Sequence, residues 1–159
     1  MTPPDTPPVL IAYDGSAPAR RAVEEAAILF PGATAVVVTV WRSAGDAAAI
    51  ARAGMPEGIR ADAVRTLDRA EEEAASATAA EGADAARTAG LDASPLVLRA
   101  APSVWGSVVR LADEHAARAV VVGSRGRSGL HSALLGSVSN AVVHHCRRPV
   151  VVVHPDADA

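Results

Sequence analysis

Residues 119–139 read AVVVGSRGRSGLHSALLGSVS, and the fold is decided here. The stretch opens on Ala119-Val120-Val121-Val122, an apolar run without alternation, as in a strand covered on both faces of a parallel sheet. The run stops at Gly123, a glycine-rich loop continues to Gly136, and a helix is expected from Ser137, as its N-cap, to about Cys146. Such a succession of strand, glycine loop and helix suits an anion. Glycines let backbone N–H groups approach a phosphate closely, and a helix N-terminus offers free N–H groups with partial positive charge. Arg125 and Arg127 add formal charge to the loop.

The same alternation extends outward. Val9 to Tyr13 is a short apolar run ending at the turn pair Asp14-Gly15. Ser16 is placed to cap a helix with Pro18 in its first turn; Val23, Ala27 and Phe30 mark its apolar face, and Pro31-Gly32 stop it. Arg20 with Glu24, and Arg21 with Glu25, are spaced to pair on its wet side. Ala35 to Val40 is a second covered strand, and Arg42 to Gly58 reads as a loop. From Ile59 to about Ala89 the Ala, Glu and Arg content favours a long helix, with Val64 and Leu67 on its apolar face and Gly82 expected to break or bend it. Ser94 to Arg99 is a third strand, and Pro102-Ser103 open a helix through Val104, Val108, Leu111 and Ala112. Pro149 to Val153 is the fifth strand. The order β-α-β-α-β-α-β-α-β implies an α/β fold, a doubly wound open parallel five-stranded sheet with helices on both faces. Residues 1–8, rich in proline, are expected to form a flexible tail, 9–155 one domain, and 156–159 a C-terminal tail.

Composition narrows the function. Half of the residues are apolar but only 3% aromatic, so the core must be built from Val, Leu, Ile and Ala. The net charge of −3 carries no basic stripe, which argues against a nucleic-acid partner. The apolar runs are too short to cross a bilayer, and residues 1–8 lack the basic start and apolar stretch of a signal peptide. The single cysteine, Cys146, fits a reducing compartment, so a cytoplasmic location is expected.

In an open parallel sheet, ligands bind beyond the carboxyl ends of the strands where strand order reverses. Three strand ends carry unusual chemistry: Tyr13-Asp14-Gly15-Ser16, with Ala12 just before it counted among the binding residues, Val40-Trp41, and Gly123-Ser124-Arg125-Gly126-Arg127-Ser128-Gly129. No G-x-G-x-x-G follows the first strand, and lysine is absent from the chain, which excludes a Walker loop. The spacing present is G-x2-G-x9-G-S, from Gly123, Gly126, Gly136 and Ser137. With its flanks, and with the opening Ile11-Ala12-Tyr13-Asp14-Gly15-Ser16, it resembles the universal stress protein family of the UspA-like, ATP-binding type. The resemblance runs from Val9 to Pro155.

It implies a Rossmann-like sheet of the adenine nucleotide alpha hydrolase-like kind, in the order 3-2-1-4-5. It also implies that Asp14 contacts the nucleoside and that the backbone at Val40 recognises adenine. Gly123 and Gly126 would border the ribose and phosphates, and Gly136, Ser137, Val138 and Ser139 would hold the phosphates by N–H and hydroxyl groups. Mg²⁺ would bridge phosphate oxygens, with no protein ligand assigned to it. Arg125 stands where many relatives carry His. Relatives pair through the fifth strand, and Pro149–Val153 reads as an exposed valine edge suited to a homodimer.

Trp41 is placed either to stack near adenine or to pack half-buried. His131 lies inside the glycine loop, placed either to approach the phosphates or to stand exposed, and the exposed reading is preferred. His144, His145 and Cys146 are adjacent in sequence and point in different directions, so no metal site is assigned to them. The leading expectation is an ATP-dependent regulatory module in a stress response, acting through an unidentified protein partner. The alternative is a slow ATPase or a self-phosphorylating protein using Ser137 or Ser139; no general base or catalytic lysine is visible for it.

Overall fold

The computed structural model describes residues 6–48, 57–126 and 135–154. Its elements are β1 (Val9–Ala12), α1 (Ala17–Leu29), β2 (Thr34–Trp41), α2 (Ala44–Ala48), α3 (Glu57–Thr88), β3 (Asp92–Arg99), α4 (Val104–Glu114), β4 (Ala119–Gly123), α5 (Ser137–His145) and β5 (Val150–Val153). The five strands are parallel in the order β3-β2-β1-β4-β5, as expected from the resemblance. Val9 stands opposite Ala35 of β2 on one side and Ala119 of β4 on the other.

Alternation along the strands sorts the core into two layers. Val9, Ile11, Val37 and Val121 face α1 and the C-terminal half of α3, with Val23 and Ala83. Leu10, Val36, Val38 and Val120 face α4 and α5, with Val108, Leu111 and Val142. With almost no aromatic bulk, closeness of packing replaces side-chain size, and small residues sit at the helix–sheet contacts: Ala19, Ala22 and Ala26 of α1, and Ala83 and Ala86 of α3.

Several expectations are corrected. The segment read as a loop from Arg42 to Gly58 contains the short helix α2, and α3 starts at Glu57; residues 49–56 lie outside the described set. α3 passes through Gly82 as one continuous helix. Gly82 allows close approach there: a Cβ would lie 2.6 Å from Cδ1 of Tyr13 and 2.9 Å from Cγ1 of Val37. The buried face of α3 is Ala75, Ala79, Gly82, Ala83 and Ala86, whereas Leu67 is 55% exposed. Length explains this. A helix of 32 residues spans about 48 Å at ~1.5 Å per residue, while the eight residues of β2 span about 26 Å at ~3.3 Å each. The N-terminal part of α3 therefore overhangs the sheet.

Arg21 pairs with both Glu24 and Glu25, but Arg20 turns away from Glu24 to Glu81 of α3, at 3.0 Å. Ser16 caps α1 by accepting from the Ala19 N–H. At α5 the N-cap is Gly136 rather than Ser137, which occupies the first helical position. Pro8 belongs to the fold, since it is buried and its carbonyl accepts from the Arg118 N–H at 3.0 Å. Among the described residues, no helix is long and apolar enough to cross a membrane.

Candidate nucleotide-binding cleft

β1 ends at Ala12, opposite Val38, but β2 continues to Trp41. The chain leaves β1 toward one face of the sheet and leaves β4 toward the other, so a notch opens above the central strand. The notch is a cleft of about 470 Å³, within the range of small-molecule sites.

The switch-point strand ends form its floor. Ala12, Tyr13, Asp14, Val40, Gly123, Arg125 and Gly126 line the cleft, as do Gly136, Ser137, Val138 and Ser139 from the start of α5. Asp14 Oδ1 accepts from the Ser16 N–H at 3.0 Å and so shapes the β1–α1 turn. Its other oxygen faces the glycine loop, since a Cβ on Gly126 would lie 2.9 Å from Asp14 Oδ2. Gly136 has φ −64°, so it serves through its lack of a side chain and not through a left-handed backbone.

The first turn of α5 carries no side-chain cap, and its first backbone bond runs from the Asn140 N–H to the Gly136 carbonyl. Among the described residues the amides of Ser137, Val138 and Ser139 are left as the orphan donors of a helix N-terminus. Ser139 is buried; its hydroxyl donates to the Ser124 carbonyl at 2.8 Å and also lies 3.0 Å from the Gly136 carbonyl. The Gly136 N–H shares the Ser124 acceptor at 2.7 Å. One carbonyl thus ties the end of β4 to the start of α5, and the Ser139 proton is already engaged. Ser137 is exposed, so of the two serines it is the one available to a ligand. Ser124 does not line the cleft: among the described residues its buried hydroxyl has no hydrogen-bond partner, and its carbonyl makes the contacts to α5. Arg127 and His131 lie outside the described residues.

Some of the wall was missed from the sequence. Glu71, Ala74, Ala75 and Thr78 of α3, Val104 and Val108 of α4, and Thr39 and Arg42 complete the cleft. Thr78, Ala75 and Glu71 succeed one another at helical spacing on one face of α3. Trp41 lines the cleft, with the Arg99 guanidinium 6.0 Å from its ring centre. His145 instead stacks on Trp105, ring centres 4.6 Å apart. Beneath the cleft, the Tyr13 hydroxyl donates to Glu81 Oε1 at 2.9 Å, and Arg20 donates to the same oxygen. Burial, then the neighbouring Glu81, pushes the Tyr13 phenol up, and the hydrogen bonds from Tyr13 and then Arg20 hold the Glu81 carboxyl below its usual range.

Fold and cleft together define a doubly wound α/β domain with an open cleft at its switch point. The chain belongs to the universal stress protein family, whose sequence model matches residues 6–154. Among solved structures it is similar to the hypothetical protein MJ0577 (TM-score 0.76, 17% identity, 95% of this chain and 97% of that one). It is also similar to the universal stress protein from Archaeoglobus fulgidus in complex with dAMP (TM-score 0.63, 22% identity, 93% and 98%). A universal stress protein in complex with cAMP aligns with TM-score 0.58 and 27% identity, over 93% of this chain and 96% of that one. A curated relative, the universal stress protein Rv2005c of Mycobacterium tuberculosis, is 67% identical over 36 residues, 23% of this chain and 12% of the relative's length.

Proposed function

We propose that the cleft binds ATP and that occupancy switches this domain between partner-binding states, as a cytoplasmic regulatory module of a stress response. The observation that carries this reading is the uncapped first turn of α5 beside Arg125 and the side-chain-free wall of Gly126 and Gly136. Free amides, helix-terminal charge and a guanidinium meet at one end of the cleft, which is what a phosphate chain needs. The relatives solved with dAMP and cAMP support an adenine ligand. Mg²⁺ would bridge phosphate oxygens and screen them from Asp14. In this reading two domains join through β5, which pairs with β4 on one side and forms the sheet edge on the other.

Calorimetric titration and thermal unfolding with Mg-ATP test the reading. At tenfold excess over Kd, ATP adds about 1.4 kcal/mol to folding stability, or about 3–6 °C in Tm for a domain of this size. GTP adds less. Millimolar ATP that leaves both measurements unchanged removes ATP as the ligand.

A further inference from the structure

Parallel strands exchange evenly spaced hydrogen bonds, and each rung has a calculable successor. With Ala12 opposite Val38, the last β1–β2 rung runs from the Tyr13 N–H to the Val38 carbonyl at 2.9 Å. The next would join the Val40 N–H to the Tyr13 carbonyl. That rung is missing. The Tyr13 carbonyl instead accepts the Thr39 hydroxyl at 2.9 Å, and Thr39 is itself buried. Backbone groups of Val38 and Val40 point to the same side of β2, while those of Trp41 point toward β3, where the Trp41 carbonyl accepts from the Ala100 N–H. Among the described residues the Val40 N–H and carbonyl therefore have no hydrogen-bond partner. They stand in the wall of the cleft, where Val40 is only partly buried. Water reaches them, so leaving them open does not carry the penalty of a sealed polar group.

We infer that Thr39 is the positioning residue for base recognition: its hydroxyl takes the Tyr13 carbonyl, stops the ladder one rung early, and keeps the Val40 N–H and carbonyl open as an adjacent donor and acceptor. Such a pair matches the edge of adenine, which offers a ring-nitrogen acceptor beside an amino donor. Guanine presents a ring N–H and a carbonyl at that edge, the reverse pattern. The inference rests on the adenine-nucleotide reading of the cleft and adds the residue that sets base preference.

Thr39→Val keeps the shape of the side chain and removes the hydroxyl. The Tyr13 carbonyl is then left buried and unpaired, and the Val40 N–H is the nearest donor able to satisfy it. In the variant without nucleotide, the Val40 amide should exchange with solvent at least tenfold more slowly than in the wild type. Affinities for ATP and for adenosine should both fall about tenfold or more, the ATP-over-GTP preference should collapse, and pyrophosphate binding should stay unchanged. Thr39→Ser retains the hydroxyl and should restore all of these. An unchanged Val40 exchange rate together with an intact ATP-over-GTP preference in Thr39→Val overturns the inference. Should Thr39→Val fail to fold, the wild type decides: its Val40 amide must be open without nucleotide and protected by adenosine, and protection already present without nucleotide refutes the arrangement. The exchange measurement needs no nucleotide, so it stands or falls separately from ATP as the ligand.

Discussion

Two glycines of one helix should respond oppositely to the same substitution. In Gly82→Ala the new Cβ lies 2.6 and 2.8 Å from Cδ1 and Cγ of Tyr13 and 2.9 Å from Cγ1 of Val37. Carbon atoms rest about 3.5 Å or more apart, so the closest contact is short by about 0.9 Å. Neither neighbour yields easily: Val37 is fully buried in β2, and the Tyr13 ring is buried with its hydroxyl held by Glu81. Overpacking of this kind costs up to about 3 kcal/mol, against a gain of about 1 kcal/mol in helix propensity. The net loss is about 1–2 kcal/mol, or about 2–8 °C in Tm. Because Tyr13 lines the cleft, ATP affinity should fall with it. At Gly58 of the same helix a Cβ meets nothing within 4 Å among the described residues, so Gly58→Ala should gain about 0.5 kcal/mol from propensity alone. Urea unfolding with an unchanged m-value reads both. If Gly82→Ala proves as stable as Gly58→Ala, the close packing of α3 on Tyr13 is wrong.

Gly136→Val should keep a native circular dichroism spectrum, since φ is −64° and a Cβ there meets Ser124, Arg125 and Ser139 at 3.4–3.6 Å; the branched methyls should still cost ATP at least tenfold in affinity by occupying the anion seat, which titration calorimetry measures. The isolated protein should turn over ATP more slowly than about 1 per second, the low end of ordinary enzyme rates, in a phosphate-release assay. Glu81 is held below its ordinary value of 4.5, so its contribution to stability is present above that pH and is lost as the pH falls through the lowered value. Urea midpoints of the wild type should thus drop more steeply below pH 4.5 than those of Glu81→Gln. The wild type should sediment at twice the monomer mass, and Val151→Pro, which removes a donor in the middle of β5, should shift it toward monomer or out of solution.

The sheet was legible because its strands are covered on both faces. Val36-Val37-Val38 and Val120-Val121-Val122 leave no residue for solvent, and such runs have few other uses in a chain of this length. The place of Gly123, Gly126 and Gly136 along the cleft was legible because a wall without side chains shows in a sequence as glycines at fixed spacing. The α3 wall was not. Ala74, Ala75 and Thr78 are ordinary helix residues, and only the length of α3 relative to the sheet carries them past the strand ends. Gly82 was misread for a related reason. A glycine inside a helix signals weakness locally, and its value depends on a ring 69 positions earlier in the chain. Arg20 has Glu24 at the right spacing, but Glu81 offers it a carboxylate already bonded to Tyr13, and nothing near Arg20 announces that. Ser137 looked like the N-cap because a serine at a helix start usually is one; Gly136 holds that place, and the helix keeps its amides uncapped as a result.

The cleft follows from where hydrogen-bond ladders stop. β1 is the central strand and among the shortest, and its end leaves Val40 on one side and Gly123 on the other without a continuing neighbour. Gly123 is needed because α1 starts against it: a Cβ there would lie 2.9 Å from the Pro18 carbonyl carbon. α1 therefore crosses the end of β4 closely, and Asp14 in the turn before it is brought against Gly126. The start of α5 is fastened to the same strand end through the Ser124 carbonyl. Each strand end at the switch point thus has its own device for ending: a threonine hydroxyl at β2, a carboxylate-shaped turn at β1 and a shared carbonyl at β4. Two of these devices leave backbone groups facing one space, the Val40 N–H and carbonyl at β2 and the first amides of α5 at β4, and in the proposed reading these groups, beside Arg125, meet the ligand.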